Sequence, residues 1–299
     1  MIDKIVKYLE SKNESIYLSD AGFEYINLAQ ELISRERLAA YEDRHIVIPG
    51  VCLYLINNSS INAFATKIDD KYCIFVNKGI IEEQKTFLET RNWAGLNITD
   101  PNAYIESMIK YGFLFIVFHE YGHIFCGHLE SGLYDAVDMQ AKECEADKFS
   151  MDYLIKYTML KYTNSEWTDE LKKIFLAEYF LLDKMQKQNF TDYYNGRLMQ
   201  NYYDKDIISK RDHPLDYQRI MYLFAMLNIV VIKDTIEPIA VKECCIHDLK
   251  ILKNIDEDRL EFKGNNYLIV KESIDKLMES VNEIRKKIPR LIDNAEGKK

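Results

Sequence analysis

Apolar side chains recur at helical spacing through Phe23, Ile26, Leu28, Leu32, Ile33 and Leu38, which predicts a helix over residues 20–41. The period then shortens. Two strand-like runs, residues 61–68 and 72–76, flank Asp69-Asp70-Lys71, which reads as a hairpin turn. A helix start follows: Asp100 supplies a capping carboxylate, and Pro101 fits the first turn, where its missing N–H costs nothing. The helical pattern runs on to residue 129, weakened at Gly112, and Gly132 ends it or begins the link onward. Further helices are predicted over residues 139–160 and 168–187. Residues 189–210 are polar and Tyr-rich and read as loop, and another helix begins at Pro214 and runs through the apolar stretch to residue 232. The remainder reads as a short strand pair (260–263 and 267–271), an amphipathic helix over 273–288 disturbed by Pro289, and a frayed end at 294–299.

These elements make a helix-rich α+β fold with a small antiparallel or mixed sheet set against a long helix. Three parts are expected: a helical segment over residues 1–45, a core over 46–232, and a C-terminal strand pair and helix over 233–299 packed on that core. The strongest apolar runs, residues 113–118 and 220–232, are both shorter than the ~20 residues a bilayer requires, so both read as buried helices.

Composition narrows the class. Gly and Pro, at 11 and 5 of 299 residues, are about half as common as average, so turns are scarce and helices long. A net charge of −9 argues against a general nucleic-acid binder, which needs a basic footprint. Met1-Ile2-Asp3-Lys4-Ile5-Val6-Lys7 lacks a signal-peptide apolar core. The six cysteines are scattered without a CxxC pair, so the expectation is a reduced, cytoplasmic protein without a disulfide framework. Vicinal Cys244-Cys245 could form a redox pair, but ordinary packing is the stronger reading without a depressed thiol pKa.

The chemistry centres on His119-Glu120-Tyr121-Gly122-His123, an HExxH inside the predicted apolar helix. Residues four apart project from nearly the same side of a helix, so His119 and His123 can share one metal ion. Glu120 is turned by one residue toward the open side of that ion, where it can take a proton from a zinc-activated water. Two solvated histidines on a surface helix would explain the motif equally, but Phe113-Leu114-Phe115-Ile116-Val117-Phe118 immediately upstream favours a buried site.

Catalytic zinc wants a third protein ligand. The next acidic cluster is Glu143-Cys144-Glu145-Ala146-Asp147. Glu143 and Asp147 share a helix face and Glu145 points elsewhere; Glu143 is expected as ligand, with Asp147 accepting an imidazole N–H. His128, Cys126 and Cys144 are rivals. His128 lies five residues after His123 and Gly127 four, so both miss the metzincin spacing of six and three. The ligand set also suits iron or manganese; the neighbouring base favours zinc.

HEYGHIFCGH (119–128) resembles the HExGHxxxxH of gluzincin zinc metallopeptidases of the CAAX-prenyl-protease and HtpX type. Asn62-Ala63-Phe64-Ala65, with Ile74-Phe75-Val76 and Gly79-Ile80-Ile81 after it, resembles that family's NAFA hairpin. Glu143 to Asp147 is similar to its ExEAD motif, and His213-Pro214 with Arg219-Ile220 to its HPxxxxRI motif. The resemblance implies a zincin-like fold and one zinc ion on His119, His123 and Glu143. It makes Glu120 the general base and then the proton donor, His213 the oxyanion stabiliser, and Arg219 a support for the site. It also implies a protein or peptide substrate paired by strand addition along Asn62, Ala63, Phe64 and Ala65. The membrane helices of those branches are absent, which points to a soluble endopeptidase similar to the phage-exclusion protein Lit or to the ImmA/IrrE repressor-cleaving peptidases. The competing expectations are a zinc-containing recognition protein and a latent enzyme whose open metal position is filled by His213 or a cysteine.

Overall fold

The computed structural model describes residues 2–17, 20–44, 50–91, 93–96, 98–130, 135–191, 219, 265–288 and 290. Strands β2 (Ala63–Ile68) and β3 (Lys71–Asn77) form the hairpin, paired antiparallel from Ala63–Val76 to Ile68–Lys71. Asp69 in the turn takes φ 53°, a left-handed conformation that Asp tolerates better than most residues. Strand β1 (Val51–Ile56), which the hydrophobic pattern did not disclose, pairs parallel with β3. Among the described residues the sheet is therefore mixed, with order β1-β3-β2 and β2 at an edge.

Both faces of β3 are buried, each by a different layer. Tyr72, Ile74 and Val76 join the main helical core, while Cys73 and Phe75 face the other way. That second face is covered by Ile5 and Leu9 of helix α1 (Ile2–Glu10). Helix α2 (Asp20–Arg44) spans the predicted helix and packs against β1 and the long central helix. Helix α3 (Gly79–Glu89) leaves β3 almost directly. A Cβ on Gly79 would lie 2.1 Å from the Ser59 carbonyl oxygen, so the strand-to-helix joint is built for glycine. Gly79→Ala is accordingly expected to cost about 1–3 kcal/mol. An unchanged urea midpoint would show that the joint relaxes freely.

The central helix α4 (Pro101–Phe125) opens as expected, with Asp100 Oδ1 accepting from the Ala103 N–H at 3.1 Å. Gly112 does not weaken it: the helix runs through unbroken, and the Gln84 side chain occupies the space beside that glycine. Every residue from Tyr111 to Gly122 is buried, because the sheet, α2, α3, α5 (Ala136–Lys161) and α6 (Asn164–Thr191) surround it. Asp135 caps α5, accepting from the Asp138 N–H at 2.8 Å. Helix α6 outruns its predicted span and takes in residues 189–191, read above as loop.

The C-terminal reading needs correction. Residues 267–271 are not a strand; they belong to helix α7 (Asn265–Lys287), which begins well before the predicted start at 273. Its Val281 and Ile284, with Ile288 just beyond, pack on Ala141 and Cys144 of α5. A long helix with an apolar stripe outweighs the local β-preference of Tyr267-Leu268-Ile269-Val270. The predicted strand 260–263, Cys244-Cys245, and the helix from Pro214, apart from the helical Arg219, lie outside the described residues. No helix among the described residues is long and apolar enough to cross a membrane.

Candidate metal centre

The site forms where α4 and α5 cross. A Cβ on Gly122 would meet Ala146 Cα at 3.2 Å, so the small residue lets the two backbones come close. That approach carries Glu143 and Asp147, one turn apart on α5, onto the face of α4 that presents His119 and His123. His119 Nε2 lies 3.1 Å from His123 Nε2. Glu143 straddles the pair: Oε2 is 3.2 Å from His119 Nε2, and Oε1 is 3.4 Å from His123 Nε2.

The far side of each ring is engaged elsewhere. His119 Nδ1 lies 2.8 Å from Asp147 Oδ1. Asp147 in turn accepts from Arg219, Nε to Oδ2 at 2.7 Å and Nη2 to Oδ1 at 2.5 Å. His123 Nδ1 lies 2.8 Å from Nδ1 of His128, which sits in a short 3-10 turn after α4. An ionised carboxylate only accepts, so neutral His119 carries its proton on Nδ1 and turns a bare Nε2 toward Glu143.

This donor set fits a metal ion. Two imidazole nitrogens and a carboxylate converge, all within 4.8 Å of one another. Ligand atoms about 2.0–2.1 Å from a tetrahedral zinc stand roughly 3.3 Å apart. The two imidazole nitrogens, 3.1 Å apart, are close to that edge, and Glu143 turns a different oxygen to each ring. Electrostatics agree. Burial opposes a charge on His119, but Asp147 and Glu143 outweigh it and push the ring up to about 10. The pocket thus demands positive charge, which a dication supplies as well as a proton. Asp147 is fully buried; Arg219 and His119 outweigh the burial and hold its carboxyl below the usual range. Glu120, next to His119, is 9% exposed.

A second group, Cys126, His128 and Glu145, also has metal-binding composition. Here the carboxylate is already occupied: Glu145 Oε1 accepts from Arg285 Nε at 2.7 Å and Arg290 Nη2 at 2.9 Å. Its Oε2 lies 3.2 Å from His128 Nε2. Burial pushes the Cys126 and Cys144 thiols up, which favours their neutral form. Burial also pushes His128 down to about 4, with the His123 ring adding to it and Glu145 opposing.

For Glu145, burial favours the neutral acid, yet His128, Arg285 and Arg290 together bring it down to about 2. Its stabilising ionisation is therefore complete above the ~4.3 of an unfolded Glu and disappears as pH falls toward the folded value. The wild-type urea midpoint is expected to drop more steeply between pH 5 and about 2 than that of Glu145→Gln. Parallel curves would show that the clamp contributes nothing.

Asn62 precedes β2, and Ala63, Phe64 and Ala65 open it, half-buried at the sheet edge. The strand packs against α4 and the turn carrying His128. His213 lies outside the described residues. The sequence reading did not anticipate Arg285 and Arg290, nor Glu178. The last is 1% exposed on α6, with neither oxygen hydrogen-bonded among the described residues. Burial and then Asp147 push it well above the usual carboxylate range, with Arg219 opposing. Its signal was a single acid inside the apolar run 174–182.

No family model matches the chain, nor does any curated protein or solved structure.

Proposed function

We propose that this chain is a zinc-dependent endopeptidase with a zincin-like site of the gluzincin kind, its metal held by His119, His123 and Glu143. The observation that carries the reading is the convergence of two Nε2 atoms and one carboxylate within 4.8 Å, with a buried glutamate next to the first histidine. Zinc held there supplies a Lewis acid that polarises the scissile carbonyl and acidifies water. Glu120 would take the proton from the attacking water as the C–O bond forms and the carbonyl π bond opens, and would then deliver it to the amine nitrogen, so that the C–N bond breaks as the carbonyl re-forms. Asp147, neutralised by Arg219, fixes the ring plane and tautomer of His119. The edge of β2 offers backbone N–H and C=O groups with which an extended substrate pairs. The role of His213 at the oxyanion is carried by the sequence resemblance.

The test is a survey of new protein N-termini in cell extract treated with wild-type chain or with Glu120→Gln. Termini that arise only with wild type support endoproteolysis. If one abundant protein supplies them all, a dedicated target of the kind a defence peptidase has is indicated; many loosely folded sources indicate quality control. Identical samples with zinc bound to both would favour a recognition protein that uses the same cleft.

A further inference from the structure

We propose that His128 is a positioning residue of the metal centre, holding His123 as Asp147 holds His119, and that Glu145 with Arg285 and Arg290 locks it in place. The proposal rests on the reading of His119, His123 and Glu143 as metal ligands.

The assignment follows from counting donors and acceptors. His123 Nε2 faces His119 Nε2 at 3.1 Å and Glu143 Oε1 at 3.4 Å, so as a ligand it presents its lone pair there and carries its proton on Nδ1. That Nδ1 is 2.8 Å from Nδ1 of His128. Two ring nitrogens so close need one donor and one acceptor. His123 donates; His128 accepts and therefore carries its own proton on Nε2. That proton points at Glu145 Oε2, 3.2 Å away. Glu145 Oε1 is left to accept from Arg285 and Arg290. Donors thus converge on a buried carboxylate from both ends, the imidazole on one side and the guanidinium groups on the other, as they do on Asp147 between His119 and Arg219.

A second metal ion on Cys126, His128 and Glu145 is the competing use of these atoms. It is disfavoured because two guanidinium groups already lie on Glu145 Oε1 and would repel a dication, and because His128 Nδ1 is turned to His123. The relay also ties the centre to distant sequence: Glu145 is 140 and 145 residues from its arginines. The end of α7 therefore helps fix a ring on α4.

The experiment uses the full chain, with zinc content, zinc affinity by chelator competition, and proton NMR of the cobalt-substituted form. His128→Leu removes the acceptor, while His128→Asn puts an amide oxygen in its place. Leu is expected to weaken zinc binding by about 10–100-fold, the usual cost of losing the group behind a ligating histidine, and Asn to recover most of it. In the cobalt form, two exchangeable imidazole N–H signals are expected. Leu should speed solvent exchange of one and leave the other, and Asn should restore it. Arg285→Gln with Arg290→Gln changes two partly exposed side chains outside the apolar core and is expected to lower affinity in the same direction; this pair decides the matter if His128→Leu does not fold. Wild-type affinity in His128→Leu, or in the arginine pair, would overturn the relay. So would two zinc equivalents in wild type falling to one in both His128→Leu and Cys126→Ser. A wild-type chain that binds no metal would instead overturn the reading of the three ligands.

Discussion

Glu120→Gln is expected to lower peptide cleavage by about 10²–10⁴-fold, the usual contribution of a positioned general acid–base, while one equivalent of metal stays bound. Gln matches Glu in size and hydrogen-bonding reach but cannot take a proton from water. Helix geometry separates the two functions. His119 and His123 are one turn apart and share a line along α4, whereas Glu120 is rotated by about 100° from His119. Glu120 therefore neighbours the site without standing on the line of the ligands. Metal content and turnover measured on the same preparation check this. Cleavage close to wild type would remove Glu120 from the mechanism. Loss of metal together with activity would make it a structural part of the centre.

Glu143→Ala is expected to lose metal by more than the roughly 10–100-fold that follows removal of a group behind a ligand. The carboxylate spans both imidazoles, 3.2 Å from one Nε2 and 3.4 Å from the other, so its loss leaves two ring nitrogens that cannot complete a site. A ligand present at 100 times its Kd stabilises a folded protein by about 2.7 kcal/mol. Zinc should thus raise the Tm of wild type by several degrees and leave Glu143→Ala unmoved at the same concentration. Equal shifts would refute Glu143 as a ligand. Glu145 is not positioned to replace it, since both its oxygens are engaged with His128, Arg285 and Arg290.

The elements that were legible are those whose cause is local. Asp100-Pro101 marks the start of α4 because a cap and a first-turn proline act within four residues. Asp69-Asp70 marks the hairpin for the same reason. The nine-residue α1 was legible only as part of a helical segment over 1–45, not as an element of its own: a helix that short is marginal alone and persists by burying Ile5 and Leu9 on the sheet. Neither was β1, a six-residue apolar run whose partner, β3, is parallel and separated from it by β2. Residues 267–271 misled because Tyr, Ile and Val favour strands locally, while the stripe that docks α7 on α5 acts over the whole helix.

The sequence by itself determined which side chains share a helix face: His119 with His123, Glu143 with Asp147, and Glu145 turned away from both. That follows from the fixed rotation of a helix, which needs no tertiary information. Only the tertiary structure decided which faces meet. It set α5 against α4 at Gly122, brought Arg219 to Asp147 and Arg285, near the end of α7, with Arg290 beyond it to Glu145, and made His128 a neighbour of His123 Nδ1 rather than a member of the ligand cluster. Those contacts join residues up to 145 positions apart. They depend on how packed helices share one core, a property of the assembled chain that no local window of residues contains.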